Sequence, residues 1–142
     1  MSESDWSLDP RLQNDTFPIG NLVLSRVLAI DDADYPWLVL VPRRPGVTEI
    51  ADLGDRDAAR LMEEIAQASR ALKSVTGCDR VNIAAIGNIV PQLHVHIVAR
   101  WKTDPLWPKP VWGHVAPRPG GAAAFARFLA AIRERLELGS RG

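Results

Sequence analysis

Five consecutive apolar residues, Trp37-Leu38-Val39-Leu40-Val41, stand between Pro36 and Pro42. A strand with one face in water alternates apolar and polar side chains, whereas an unbroken apolar run suits a central strand covered on both faces. Pro42, lacking an N–H, ends it. The chain has 142 residues, and one domain of ordinary size, about 100–150 residues, uses all of them. The sequence therefore reads as one domain over residues 1–142 with this strand at its centre.

The other elements follow from local pattern. Residues 21–30 (NLVLSRVLAI) read as a strand, and Asp31-Asp32-Ala33-Asp34 supplies the turn of a hairpin into the central run. Ala58, Leu61, Met62, Ile65, Ala66 and Leu72 fall at helical spacing over 55–76, with Gly77 where a C-terminal cap belongs. Residues 81–86 and 92–99 read as two further strands with a hairpin around Gly87. The segment 101–121 carries five of the eleven prolines and reads as an ordered, aromatic loop or an edge. Phe125, Phe128, Leu129, Ile132 and Leu136 mark a second amphipathic helix over 122–138. The acidic, aperiodic extension 1–16 is expected to wrap the surface or fray, with Trp6 as its pin. Strands, helix, strands and a final helix give an α+β class: a largely antiparallel sheet of about five strands with two main helices.

Charge narrows the function. Lys plus Arg and Asp plus Glu are both 17, so no field of one sign gathers nucleic acid or an anionic membrane. No run approaches the roughly 18–20 apolar residues of a membrane span. The lone Cys78 has no internal disulfide partner, and the start MSESDWSLDP lacks the basic and apolar regions of a secretory signal, so a cytoplasmic location is expected.

The chemistry concentrates in Gly87-Asn88-Ile89-Val90-Pro91-Gln92-Leu93-His94-Val95-His96-Ile97-Val98. Residues two apart on a strand lie about 6.6 Å from each other on one face, so Gln92, His94 and His96 line up while Leu93, Val95 and Ile97 take the other side. Two imidazoles and an amide in a row are costly for a purely structural strand and point to a site. Imidazole, with an ordinary pKa of about 6.5, is mostly neutral near pH 7 and attacks without a partner base. A fold using it would tie the other ring nitrogen to a backbone carbonyl and fix the tautomer. The second imidazole would hold the attacked group and help protonate what leaves. With no serine or cysteine in the row, transfer of a phosphoryl or nucleotidyl group fits better than acyl transfer, and neither a metal nor another cofactor is required.

At these residues the sequence resembles the histidine-triad (HIT) superfamily of nucleotide hydrolases and transferases, whose signature is His-φ-His-φ-His-φ-φ with φ apolar. Ile97-Val98 fixes the register: His96 matches the third histidine, His94 the middle one, and Gln92 takes the first place. Gly87-Asn88, Asn82 and Val39-Leu40-Val41-Pro42 extend the likeness over most of residues 20–100, and Asp34-Tyr35-Pro36-Trp37 with Trp107-Pro108-Lys109-Pro110-Val111-Trp112-Gly113 is similar to a bacterial branch of it. The resemblance implies a HIT-like fold, His94 as nucleophile at an α-phosphate with a nucleotidyl-histidine intermediate, and His96 at the phosphate and leaving group. It also implies Asn82 at phosphate, Asn88 among the substrate-binding residues, Asp31 or Asp32 at the ribose hydroxyls, a small-molecule nucleotide conjugate as substrate, of dinucleoside polyphosphate or nucleoside phosphoramidate type, and a homodimer with joined sheets. Arg100 at the strand end is a further phosphate candidate. Trp37 falls where several members carry an additional histidine, so both partners of that outer pair are replaced together.

Rival readings stand beside these. Asn88 also reads as a turn residue, Gln92 and Arg100 as solvated strand residues, and the tryptophans as packing. The chain as a whole also reads as a nucleotide-binding module without turnover, or as a metalloprotein using His94-x-His96, for which His114 and Cys78 are the remaining nearby ligands.

Overall fold

The computed structural model describes residues 5–114, 116–136 and 138. In chain order these form α1 (Pro10–Asp15), β1 (Phe17–Asn21), β2 (Ser25–Ile30), β3 (Trp37–Pro42), α2 (Asp55–Thr76), β4 (Arg80–Ala84), β5 (Val95–Arg100) and α3 (Ala122–Arg135), with a short 3₁₀ turn at Ile50–Asp52. The strands make one antiparallel sheet in the order β1-β2-β3-β5-β4. Every residue of β3 is buried, because β2 and β5 flank it and both of its faces are covered.

On one face, Val27, Ala29, Leu38, Leu40, Val95, Ile97 and Ala99 pack under Leu61, Ile65, Ala68 and Leu72 of α2 and Ile132 of α3. On the other, Leu28, Trp37, Val39, Val41 and Val98 lie with Leu12, Tyr35 and Val111, closed by Trp6, Leu8, Leu106 and Trp112. Each such side chain contributes about 1.5–3 kcal/mol by leaving water, so the second layer is a real core. It is built from the N-terminal extension and the proline-rich loop.

The α+β class and the five-stranded sheet agree with the sequence reading, and several boundaries are corrected. The extension does not fray over 5–15: Asp9 caps α1 by accepting from the Arg11 N–H at 2.9 Å, Pro10 opens the helix, and Leu12 is buried. The strand expected over 21–30 is two strands. They are parted by a turn in which Leu22 N–H donates to Ser25 O, while the buried Glu64 carboxylate accepts from the N–H groups of Leu24 and Ser25 at 2.8 and 2.9 Å. Residues 85–94 form a longer connection than a tight hairpin, so the last strand begins at Val95 rather than 92. Gly77 caps α2 with φ +66° as expected, its N–H donating to Lys73 O. The helix expected to reach 138 stops at Arg135, where Leu136 turns extended; residue 137 lies outside the described residues. No helix among the described residues is long and apolar enough to cross a membrane.

Candidate active site

His94 and His96 come together at the start of β5, their ring centroids 5.1 Å apart and nearly perpendicular. His94 is buried, and its Nδ1 lies 2.6 Å from the carbonyl oxygen of Gln92. A carbonyl only accepts, so Nδ1 carries the proton and the Nε2 lone pair is left free. This is the arrangement a nucleophilic imidazole requires.

The opposite tautomer holds at His96. The indole Nε1–H of Trp37 donates to His96 Nδ1 at 3.0 Å, and indole nitrogen is a donor only. His96 Nδ1 is therefore unprotonated and its proton sits on Nε2. Burial of the ring, with repulsion from a charged His94 as a smaller cause, pushes the His96 pKa down to about 4. His96 is thus a neutral N–H donor near pH 7. This corrects the expectation that it supplies a proton to the leaving group, since giving up its last N–H would create an imidazolate. Trp37 reaches His96 because Val39 pairs directly with His96 and Trp37 sits two residues along on the same face.

Two cavities meet at His94. One, of about 520 Å³, is lined by Ile86, Gly87, Asn88, Ile89, Val90, His94, His96, Trp112 and Gly113. The other, of about 300 Å³, runs past Thr48, Glu49, Ile50, Ala85, Ile86 and His94. Asn88 therefore lines the same cavity as both histidines. Gln92 is not: its Nε2–H donates to Ser7 O and its Oε1 accepts from Asp9 N–H, both at 2.8 Å. Both polar ends of the amide are occupied by main chain, which corrects its assignment to the catalytic row.

Arg100 is also corrected. It is 1% exposed, forks onto Asp104 at 2.7 and 3.0 Å, and donates to Asn82 Oδ1 at 2.9 Å. The four residues from His96 to Arg100 span about 13 Å of strand. Burial alone would raise the Asp104 pKa, but hydrogen bonds from Arg100 and from the Trp101 and Trp107 N–H groups hold it at about 2. Arg100, Asp104 and Asn82 form a network in which Asn82 Oδ1 is held by Arg100, and Asn82 lines neither histidine cavity. Asp31 and Asp32 border a separate cavity of about 140 Å³ with Phe125 and Phe128. There Asp32 accepts from Asp34 and Tyr35 N–H, and Asp31 from Gly120 N–H.

Sequence reasoning missed the donor role of Trp37, the cavity residues Thr48 and Glu49, and the strap of Ser7 and Asp9. A buried indole N–H needs an acceptor, and that was the one available signal. Among the described residues no group of three or more His, Cys, Asp and Glu side chains is placed to hold a metal ion.

The HIT-domain model matches residues 11–103. This chain belongs to the HIT family. A histidine triad protein from Bradyrhizobium japonicum is 55% identical, with a TM-score of 0.88 over 92% of this chain and 97% of that one. A HIT protein from Sinorhizobium meliloti is 41% identical, with a TM-score of 0.90 over 95% of this chain and all of the other, 100%. An AP-4-A phosphorylase of Mycobacterium tuberculosis is 36% identical over 80 residues, which are 49% of this chain and 40% of that protein. The chain thus matches less than half the length of this curated relative.

Proposed function

We propose that this HIT domain is a nucleotide hydrolase or nucleotidyl transferase in which His94 Nε2 attacks the α-phosphorus of a nucleotide conjugate. The observation that carries the reading is the 2.6 Å contact of His94 Nδ1 with the Gln92 carbonyl, which leaves the opposite nitrogen free beside two cavities. Attack forms an N–P bond while the leaving group departs with the electrons of its bond to phosphorus. His96 Nε2–H stabilises charge on phosphoryl oxygen or the leaving atom as a hydrogen-bond donor, and the leaving group takes its proton from solvent. Water or another acceptor then attacks phosphorus and returns the pair to Nε2. The AP-4-A phosphorylase likeness supports a dinucleoside polyphosphate as one substrate class; a nucleoside phosphoramidate is the other.

Rapid quenching with both conjugates, followed by intact mass spectrometry and peptide mapping, tests this. A nucleoside monophosphate on His94 is the expected product. Saturable binding without adduct or turnover would instead favour the module that only binds, a reading supported by the diversion of the Gln92 amide to the main chain.

We also infer a homodimer. The aromatic stretch 101–112 folds back on its own sheet, with Leu106, Val111 and Trp112 in the second core. Edge strand β4, with Ile83 exposed, is the better surface. Sedimentation of wild type and Ile83→Lys tests it: a dimer that dissociates in the variant is expected, and a monomeric wild type refutes it.

A further inference from the structure

We propose that residues 5–15 are a strap belonging to the active site, locked by Gln92, and that they hold Asp9 one residue, Gln92, away from His94, where its charge favours the cationic ring formed during reaction. The charge-holding part rests on the function proposed above; the lock does not.

The geometry centres on one residue. The Gln92 side chain donates to Ser7 O and accepts from Asp9 N–H, each at 2.8 Å. These two groups flank Leu8, so the amide pairs with the strap as a neighbouring strand would, donor to acceptor and acceptor to donor. An imidazole has nitrogens pointing apart and does not reproduce that pairing. The carbonyl of the same residue receives the His94 Nδ1 proton. Strap and nucleophile are therefore held by opposite ends of Gln92, with no residue between them. A second pin comes from Arg11, whose guanidinium donates to Ile89 O at 3.2 Å in the connection that lines the larger cavity. A third is the apolar seat of Trp6, Leu8 and Leu12 on the second core.

Asp9 follows from this placement. Hydrogen bonds from Arg11 are the main cause holding its carboxyl below the usual range, and the His94 charge acts in the same direction. When Nε2 bonds phosphorus and the leaving group departs with its electron pair, the ring keeps the Nδ1 proton and carries one positive charge. That charge faces the Gln92 carbonyl, and Asp9, its carboxylate forked onto Arg11, is tied by its backbone N–H to the side chain of that same Gln92. The other charged or titratable groups around His94 are His96 in its neutral form, Arg11 on the strap and Glu49 across the smaller cavity. Gln92 is accordingly a positioning residue, and Asp9 acts on the reacting ring through space.

The test uses the full chain in three forms: wild type, Asp9→Asn and Gln92→Leu. Asp9→Asn removes the charge while keeping an N-cap side chain and the backbone N–H that Gln92 holds. ¹⁵N-resolved NMR of the imidazoles reads the tautomer of His94 without substrate. A hydrogen bond of about 1–1.5 kcal/mol biases a tautomer pair about five- to tenfold. Gln92→Leu is expected to raise the minor Nε2–H form from about a tenth to about a third and, by freeing the strap backbone, to make the bond after the exposed Arg11 cleavable by trypsin. Asp9→Asn is expected to keep the wild-type tautomer and to slow nucleotidylation by adenosine 5′-phosphoramidate about three- to tenfold, with binding affinity unchanged. A wild-type tautomer ratio with a protected strap in Gln92→Leu overturns the lock. Nucleotidylation by Asp9→Asn within about 1.5-fold of wild type overturns the role of its charge. If wild type itself forms no adduct, the proposed function and the charge role fall together, while the NMR and protease readings still decide the lock.

Discussion

Trp37→Phe isolates a single proton. The substitution keeps an aromatic plate on β3 and deletes the indole N–H that donates to His96 Nδ1 at 3.0 Å. In the wild type, a second proton on His96 must displace this donor as well as overcome the burial that, with the His94 charge, holds the ring at about 4. Losing a hydrogen bond of about 1–1.5 kcal/mol corresponds to about one pKa unit at 1.36 kcal/mol per unit. His96 in Trp37→Phe is therefore expected to titrate about one unit above its wild-type value, read by ¹⁵N-resolved NMR between pH 7 and 4. The sign of the stability change follows. Between an unfolded pKa of about 6.5 and the folded value, the unfolded chain binds more protons, so this contribution is complete above about pH 6.5 and is lost as pH falls towards 4. Its full size in the wild type is about 3 kcal/mol, and in the variant about 2 kcal/mol. Urea unfolding across that range measures both. An unmoved His96 midpoint in Trp37→Phe would refute the tautomer argument.

Three further outcomes are expected. His94→Ala should lose turnover by more than about 10³-fold while its thermal midpoint stays near wild type; retained activity in steady-state assays would exclude this ring as nucleophile. Asp104→Ala should cost about 3–5 kcal/mol in chemical denaturation, because it strands the buried Arg100 guanidinium, whereas Arg100→Met with Asp104→Leu should recover most of that loss. Glu64→Leu should cost about 2–4 kcal/mol by orphaning the Leu24 and Ser25 N–H groups, and Glu64→Gln, which restores only one acceptor, should fall between it and wild type.

Local pattern made much of the fold legible. The unbroken run over Trp37–Pro42 demanded cover on both faces, the spacing from Ala58 to Leu72 with Gly77 marked α2, and the alternation around His94 separated a polar row from a core row. These signals rest on periodicities of two and 3.6, which neighbouring residues carry among themselves. The histidine pair and the tautomer that a nucleophile at His94 requires were readable for the same reason.

Tertiary structure decided what no window of sequence contains. Arg100 ends β5 and Gln92 lies in the connection just before it, yet the partners that occupy them, Asp104 for one and Ser7 and Asp9 for the other, depend on which surfaces close over the sheet. The proton position on His96 was set by Trp37, 59 residues away along the chain and adjacent across the β3–β5 pairing. Spacing along a strand fixes which side chains share a face. Whether a polar group on that face meets a ligand or a neighbouring main chain is an energy balance among distant segments, resolved only when both layers have packed.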